Sequence, residues 1–522
     1  MDDKTLMQKG EGETDKKPKT ISLGADATLL SVSKVITSAI SLIMSMLLAR
    51  IRTKGEMATY NQIIQMVDMT SSVVMLGLPK SLNYFLSRAD TKEEKKKFLS
   101  FYYTFNTILS LIVGGILVLS ANIISTYLFH NPAITAFLYF LALYPWTKIV
   151  TSSVENLLIV SHKTKQLIAY RILNSISLLA CVGIVAYFNM TFSTYMIIFI
   201  AVEATYALVV YVFAGKIGGG IKPYCSKEML KTVLAFSIPL GLASVVGMFN
   251  TYIDKLLIGY FMSTEQYAVY SMAAKELPVT IISSTFSAVM LPEMARMIKR
   301  KKNKEAVDLW AESTILSMII LSFVGTACIV YSRDVLMVLY GEQYATSEGA
   351  WVFALYSVYL IIRCTYYGMA LNSMGKSKFI FWCSVGALAS NAVLNIVLYF
   401  LFRLFGWEFV SPAVATIITT VIMDLLQLKV TSKMLDLKFS QVFPWKRAAT
   451  VVLINGAFGA IFLLLKSVLP LENIFSFNLG SHKIDGSACE SILLGIVWAA
   501  VYGLLMLKSA KKCWKNLKVK GE

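Results

Sequence analysis

The stretch MFNTYIDKLLIGYF, residues 248–261, places an acid and a base side by side, Asp254 and Lys255, inside a long apolar segment. Between Leu234 and Met262 no other residue is charged. About 20 apolar residues are needed to cross the hydrocarbon core of a bilayer as a helix. The stretch therefore predicts a membrane-spanning helix that carries two charges at membrane depth.

The composition of the whole chain extends this prediction. Of its 522 residues, 56% are hydrophobic and 15% are charged, whereas roughly a quarter of the residues in soluble globular domains are charged. The net charge of +18 does not indicate nucleic-acid binding, because the basic residues lie in short runs between apolar blocks. We therefore expect a polytopic membrane protein with no nucleic-acid partner.

Windows of spanning length predict an all-α integral membrane protein with 14 transmembrane helices, which we call spans 1–14. The loops between them are alternately rich and poor in Lys and Arg, and such residues concentrate in cytoplasmic loops, so both termini are predicted to be cytoplasmic. The spans are, in order, 27–49, 58–84, 99–127, 133–160, 167–188, 191–214, 232–262, 266–294, 310–331, 347–373, 378–402, 409–428, 447–466 and 488–507.

The chain also looks duplicated. Pro79 and Pro292 lie 213 residues apart, and the tripeptide Ala-Leu-Tyr at 142–144 recurs at 354–356. An offset that covers six spans preserves their orientation, so spans 1–6 and 7–12 are predicted to be parallel repeats. The predicted parts are a cytoplasmic tail at 1–26, an N-lobe at 27–215, a cytoplasmic linker at 216–231, a C-lobe at 232–436, spans 13 and 14 at 445–508 and a basic cytoplasmic tail at 509–522.

Sequence motifs for enzymatic chemistry are missing. The chain has no P-loop, GxSxG, HExxH or paired-carboxylate motif, and its seven cysteines and three histidines are scattered singly. Disulfide frameworks and zinc sites need closer groupings. We therefore expect a protein that is not an enzyme and that has no metal and no cofactor.

Ionisable residues inside the spans are the candidate functional groups. Each costs at least roughly 2.5 kcal/mol at the centre of a spanning helix, so it must face a cavity or find a partner. The basic residues are Lys34, Lys80, Lys148, Arg171, Lys255, Lys275 and Arg363. The acidic residues are Asp68, Glu155, Glu203, Asp254, Glu276 and Asp424.

Position decides what is expected of each basic residue. Lys80 and Arg171 lie near cytoplasmic helix ends, from which long side chains reach the lipid headgroups, whereas Lys34 lies deeper and is expected to line a cavity. Lys148 either pairs with Glu155, two helical turns further on, or contacts substrate. Arg363 has no acid on its own helix, so we expect it to contact substrate.

The adjacent pairs Asp254–Lys255 and Lys275–Glu276 leave two alternatives. Neighbouring residues of a helix point about 100° apart, so neither pair can bond within its own helix. Crossed bridges between spans 7 and 8, Asp254 to Lys275 or Lys255 to Glu276, would satisfy them. Alternatively, at least one lysine, and we favour Lys255, faces a central cavity. Tyrosines that could stack on sugar rings or merely mark the membrane interface are Tyr252, Tyr267, Tyr270, Tyr366 and Tyr367.

Four segments resemble the polysaccharide-unit flippases of the multidrug/oligosaccharidyl-lipid/polysaccharide exporter superfamily. They are SKVITSAISLIMSMLLARIRTKGEMATYNQI at 33–63, LGLPKSLNYFLSR at 76–88, TYIDKLLIGYFMSTEQYAVYSMA at 251–273, and NAVLNIVLYF with SPAVATIITT at 391–420. The resemblance implies two six-helix lobes around a V-shaped cavity that moves an undecaprenyl-pyrophosphate-linked oligosaccharide across the bacterial cytoplasmic membrane, for capsule, O-antigen or other surface polysaccharide.

The resemblance also implies roles for particular residues. Such flippases present cations from spans 1, 2, 7 and 8 to the lipid pyrophosphate or to acidic sugars, which here means Lys34, Lys80, Lys255 and Lys275. In the related lipid II flippases the two extra helices form a groove for the polyprenyl tail, a role that spans 13 and 14 would have here. With the two mid-span cations, the candidate substrate-binding set is Lys34, Lys148, Lys255, Lys275 and Arg363. Candidates for ion coupling or pairing are Glu155, Asp254, Glu276 and Asp424.

Three other functions stay open. They are a multidrug cation antiporter of the same superfamily, a lipid II-type flippase, and a membrane scaffold that does not transport. For a flippase, the expected partners are the lipid-linked oligosaccharide, membrane lipids and other polysaccharide-assembly proteins.

Overall fold

The computed structural model describes residues 23–469, 477–479, 482–484 and 486–521. Within these ranges the protein is a bundle of long helices, which confirms the all-α membrane fold. Most of the predicted N-terminal tail, residues 1–22, lies outside the described residues.

The first half of the chain forms α1 to α8. A π-helical turn at Ile124–Leu128 and a 3-10 helix at Pro132–Phe137 join α4 to α5. The helices are α1 (Leu23–Ile51), α2 (Lys54–Met75), α3 (Leu78–Leu86), α4 (Lys92–Ile123), α5 (Leu138–Thr151), α6 (Val154–Val160), α7 (Thr164–Tyr187) and α8 (Phe192–Gly218).

The second half begins after a non-helical linker at 219–226. Its helices are α9 (Lys227–Phe261), α10 (Thr264–Ala273), α11 (Ile281–Lys299), α12 (Asn303–Val330), α13 (Ser332–Tyr340), α14 (Ser347–Ile362), α15 (Met369–Ser373), α16 (Ser377–Arg403), α17 (Ser411–Leu435), α18 (Phe439–Val442), α19 (Trp445–Val468) and α20 (Gly486–Gly521). Short 3-10 helices lie at Pro278–Thr280, Glu342–Tyr344 and Glu408–Val410, and the strands Phe477–Leu479 and His482–Ile484 pair as an antiparallel hairpin between α19 and α20.

Local sequence signals start several of these helices. Thr53 caps α2 and Thr91 caps α4, each accepting a bond from the backbone N–H of a glutamate three residues later, Glu56 and Glu94, whose side chain returns the bond. Ser263 begins α10 in the same way. This reciprocal arrangement satisfies donors that the first helical turn leaves free.

The described residues contain 12 helical segments that are long and apolar enough to cross a membrane, and they coincide with 12 of the predicted spans. The other two predicted spans, 58–84 and 347–373, are helical, but each is divided into two shorter helices. The count of 14 therefore stays a prediction.

The same helix neighbours recur in both halves. Helix α1 packs on α7 as α9 packs on α16, α4 packs on α5 as α12 packs on α14, and α7 packs on α8 as α16 packs on α17. This recurrence supports the predicted repeat, which makes α1–α8 one lobe and α9–α18 the other. Helices α19 and α20 pack on α12, outside the repeat.

The two lobes are joined at one end of the bundle. We call the face where α1 begins the N-terminal face and the face where α1 ends the far face. In the far half one apolar core spans both lobes and includes Leu48, Met66 and Tyr267. In the N-terminal half the lobes have largely separate cores. The lobes therefore share less apolar packing near the N-terminal face than in the far half.

One seam still joins the lobes in the N-terminal half, where α3 lies against α9. Leu76 and Gly77 both have positive φ, at 37° and 77°, and turn the chain from α2 into α3. A Cβ added to Gly77 would lie 2.8 Å from the backbone nitrogen of Gly241 in α9. Glycine is required at this contact because the two backbones touch. Tyr84 and Phe236 stack at 4.3 Å along the same seam.

Candidate functional site

Four predicted spans are broken by short segments that are not α-helical, whereas the sequence predicted continuous helices. The breaks lie at 76–77, 152–153, 274–280 and 363–368. They fall in spans 2, 4, 8 and 10, the second and fourth spans of each repeat. Interrupted helices at corresponding positions of two repeats mark binding sites in transporters, because irregular backbone at membrane depth is tolerated where it lines a cavity.

Each half of the chain places an ion pair between its second and fourth spans. The Lys148 ammonium lies 2.8 Å from the Asp68 carboxylate, and the Arg363 guanidinium pairs with Glu276. Lys148 is in the last turn of α5 and Arg363 caps the end of α14. The negative end of a helix dipole favours a cation at both positions.

These pairs correct three expectations. Lys148 does not pair with Glu155, because Asp68 from α2 reaches it first. Arg363 is not free of an acid, because the break in span 8 brings Glu276 beside it. The expected angle of about 100° between the side chains of Lys275 and Glu276 does not apply, because residues 275–277 are not in a helix.

Asp254 is bound inside the C-lobe by neutral groups. It is 3% exposed, and it accepts hydrogen bonds from the Tyr356 hydroxyl at 2.7 Å, from Thr416 Oγ1 at 2.7 and 2.9 Å, and from Asn395 Nδ2 at 3.3 Å. No cation lies within ion-pair distance of it among the described side chains. The predicted crossed bridge from Asp254 to Lys275 is therefore wrong.

Lys255 points away from Asp254 toward the lobe boundary. Its ammonium lies 5.5 Å from the centre of the Tyr252 ring, and the Tyr252 hydroxyl donates to Asp68 of the other lobe at 3.0 Å. Glu276 acts on Lys255 electrostatically without forming an ion pair with it, so the second crossed bridge is also wrong. Tyr252 and Lys255 thus connect the two ion pairs across the boundary.

Two further lysines reach across the lobe boundary to hydroxyl groups. Lys275 donates to Ser45 of α1 at 2.8 Å. Lys80 donates to Ser244, in the middle of α9, at 3.2 Å. Lys80 was expected to reach the lipid headgroups, but the α2–α3 break directs it along the seam with α9 instead.

Lys34 and Arg171 share one carboxylate in the first lobe. Glu155 lies 3.2 Å from the Lys34 ammonium and 2.5 Å from the Arg171 guanidinium. The charge of Arg171 is therefore compensated by Glu155, and not by lipid headgroups as the sequence predicted. Lys34 remains half exposed, as a cavity-lining residue must be, but it is not a free cation.

The other candidate residues lie deeper in the C-lobe. Tyr270 is fully buried beside Asp254, and Tyr267 is buried and donates to Gln65 at 2.6 Å, so neither offers a free ring face. Tyr367 stacks on a phenylalanine ring, and Tyr366 is half-buried. Asp424 is half-buried on α17, where Arg363 acts on it electrostatically.

The predicted spans hold seven cations and six acids, and not all of them are paired. Four of the seven intramembrane cations, Lys34, Lys148, Arg171 and Arg363, are in ion pairs. Lys80, Lys255 and Lys275 have no carboxylate within ion-pair distance among the described residues. An ammonium group at membrane depth with only hydroxyl or aromatic partners is poorly compensated. Each of these three ammonium groups is therefore suited to an anionic ligand.

Sequence reasoning missed the neutral partners. Ser45, Ser244 and Thr416 give no signal, because single hydroxyl residues are common in spanning helices. Asn391 and Asn395 do give one, since two amides four residues apart share one face of an apolar helix. Asn395 contacts Asp254, and Asn391 bonds Thr416 at 3.2 Å.

Over the described ranges, no three His, Cys, Asp or Glu side chains group as a metal site would require. The described cysteines are free thiols.

Known proteins share this fold. The chain superposes on lipid II flippase MurJ in an inward closed conformation with a TM-score of 0.64 at 14% identity, covering 92% of this chain and 99% of that one. An inward-facing multidrug resistance MATE family transporter of the MOP superfamily gives 0.60 at 12% identity, covering 78% and 98%. Both likenesses are of fold, and the proteins concerned are named as a flippase and a transporter.

Curated relatives match in sequence. The probable low-salt glycan biosynthesis flippase Agl15 of Haloferax volcanii is 21% identical over 45% of this chain and 48% of its own length. The capsular polysaccharide biosynthesis protein CapF of Staphylococcus aureus is 20% identical over 28% of this chain and 37% of its own. The chain thus aligns with less than half of either relative. A family model described as "Polysaccharide biosynthesis protein" matches residues 47–348, more than half of the chain, which therefore belongs to the polysaccharide biosynthesis protein family.

Proposed function

We propose that the chain is a flippase that moves a polyprenyl-pyrophosphate-linked oligosaccharide across the bacterial cytoplasmic membrane by alternating access. The sugar would serve capsule, O-antigen or other surface polysaccharide. The glycan and capsule roles in the names of the relatives support this substrate class. In this proposal the termini are cytoplasmic, the predicted lobe boundaries hold, and membrane lipids and polysaccharide-assembly proteins are the partners.

The observation that carries the proposal is the set of three lysines that have no carboxylate within ion-pair distance among the described residues. Lys80, Lys255 and Lys275 come from both lobes and meet hydroxyl or aromatic groups that a phosphate can displace. A charge-assisted hydrogen bond to phosphate is about twice as strong as a neutral one. A diphosphate would therefore exchange weak partners for strong ones at the lobe boundary.

The shape of the bundle supports the same substrate. The lobes share less apolar packing near the N-terminal face than in the far half, and a lipid-linked sugar made in the cytoplasm would arrive at that face. An apolar groove of about 240 Å³ lies between α12, α13 and α20, lined by residues such as Val324, Val335 and Ile492. We assign the polyprenyl tail to this groove. Tyr252 and Tyr366, which are not fully buried, are the remaining candidates for sugar stacking.

Asp254 is the best candidate for ion coupling among Glu155, Asp254, Glu276 and Asp424. Glu155 and Glu276 are occupied by cations, and Asp424 lies within the influence of Arg363. Asp254 has only neutral partners on four different helices. A proton or a monovalent cation could therefore compensate its charge and change the packing of the C-lobe.

A multidrug cation antiporter is the second candidate function. The structural likeness to a MATE transporter and the buried Asp254 favour it. Lys80, Lys255 and Lys275 oppose it, because they repel a cationic drug, but seven cations against six acids in the spans make this opposition mild.

Reconstitution into liposomes tests the proposal. We expect the purified protein to flip a fluorescent polyprenyl-pyrophosphate-linked oligosaccharide, and Lys255→Met to weaken its binding roughly 10- to 100-fold through loss of one charged contact. Lys216→Met, which removes an exposed lysine at the N-terminal face end of α8, is the matched control. Export of a cationic dye without any flipping would instead identify the antiporter.

A further inference from the structure

The ends of α1 and α13 meet at the far face, and each is capped by the other lobe. The last carbonyls of a helix have no donor within the helix. Gln343, from the second lobe, donates to the Ala49 carbonyl at 2.6 Å and to the Arg52 carbonyl at 3.1 Å. Arg50, from the first lobe, donates to the Val338 carbonyl of α13 at 2.5 Å.

The charge of Arg50 strengthens this arrangement. Its guanidinium also reaches the Met337 carbonyl at 3.4 Å, so it lies at the negative ends of two helix dipoles, its own and that of α13. The Lys275–Ser45 bond joins the same two lobes at a position earlier in α1 than Arg50. The far half of the bundle is therefore closed by side chains that satisfy backbone groups and not by apolar contact alone.

We propose that Arg50 and Gln343 form the gate of the far face, a pair of reciprocal helix caps that closes the release side and opens once in each transport cycle. This inference rests on the proposed function, because transport requires the lobes to separate there. Water can replace both caps when the lobes part, so these bonds add only a modest net cost to the separation of the apolar core that the lobes share there. Buried apolar contact alone would have no such replacement.

Spin labels at the far face measure this separation. Ser193 and Glu348 are exposed residues in the first turns of α8 and α14, one in each lobe. Both become cysteine in a background with Cys225→Ser and Cys489→Ser, which removes the two described cysteines that are not buried. Double electron–electron resonance on the full chain in nanodiscs, without substrate, then gives the populations of short and long distances between the two spin labels.

We expect Arg50→Met and Gln343→Met each to raise the ratio of long to short distances about tenfold. This is the shift expected from the loss of one charge-assisted bond or of one side chain that donates to two carbonyls. Arg52→Met is the matched control, because the Arg52 side chain donates to Met190 within its own lobe at 2.7 Å. It should change the ratio less than twofold. Arg50→Lys, which keeps the charge, should lie between wild type and Arg50→Met.

The gate proposal would be overturned if Arg50→Met and Gln343→Met change the ratio of long to short distances no more than Arg52→Met does. If Arg50→Met does not fold, the Gln343→Met variant decides alone. Since no substrate is used, shifted distances in a protein that does not flip lipid would refute only the transport function. Unchanged distances in an active flippase would refute only the gate.

Discussion

Replacing Asp68 with Asn separates the charge of the first ion pair from its hydrogen bonding. Asn has the shape of Asp and keeps an oxygen that accepts the bond from the Tyr252 hydroxyl. The Lys148 ammonium then has no carboxylate within ion-pair distance among the described residues, and Glu203 acts on it only from further away. We expect the protein to lose stability for this reason.

The exposure of the two pairs sets the magnitude. Breaking a fully buried pair costs about 3–5 kcal/mol, while an exposed pair contributes about 0–1 kcal/mol. The side chains of Asp68 and Lys148 are 13% and 39% exposed, so we expect Asp68→Asn to cost about 2 kcal/mol. Glu276 and Arg363 are 50% and 45% exposed, so Glu276→Gln should cost less than about 1 kcal/mol.

The free energy of unfolding in mixed detergent micelles measures both variants. The double variant Asp68→Asn/Lys148→Met removes both charges and should recover at least half of the loss, because no charge is left uncompensated. The reasoning fails if Asp68→Asn costs no more than Glu276→Gln, or if the double variant is no more stable than Asp68→Asn.

Three further outcomes are expected. Gly241→Ala should cost about 1–3 kcal/mol by overpacking the α3–α9 seam, which a lower melting temperature would show. Gly247→Ala is the control and should not destabilise the protein, because a Cβ at that position meets nothing within 4 Å. Asp254→Asn should abolish the dependence of flipping on an ion gradient in liposomes and leave substrate binding within about twofold; a retained gradient dependence would exclude Asp254. Arg447→Lys should cost about 1–2 kcal/mol by losing the paired bonds to Glu312 at 3.0 and 2.9 Å, and faster proteolysis of α20 would report it.

The fold could be predicted from the sequence because apolar length and loop charge directly reflect the bilayer. Both signals act over 20 residues or more, so local irregularity does not hide them. The helix breaks were missed for the same reason: a window of spanning length averages over them. Gly77 beside Pro79, and Pro278 within span 8, were the local signals, because both residue types interrupt helical bonding.

The pairing of charges was the part of the site that could not be predicted. The expected partner of Lys148 was chosen by helical spacing, and the crossed bridges of Lys255 and Lys275 assumed that spans 7 and 8 are continuous helices. The breaks redirect Glu276 to Arg363, and the crossing of α2 with α5 brings Asp68 to Lys148. These contacts are tertiary, and one sequence does not contain them.

The structure of the protein with a bound polyprenyl pyrophosphate tests the central claim most directly. We expect the diphosphate at the lobe boundary, with oxygens within hydrogen-bond distance of at least two of the ammonium groups of Lys80, Lys255 and Lys275, and with Ser45 or Ser244 released from its lysine. A diphosphate bound elsewhere, with all three lysines still on their present partners, would contradict the account.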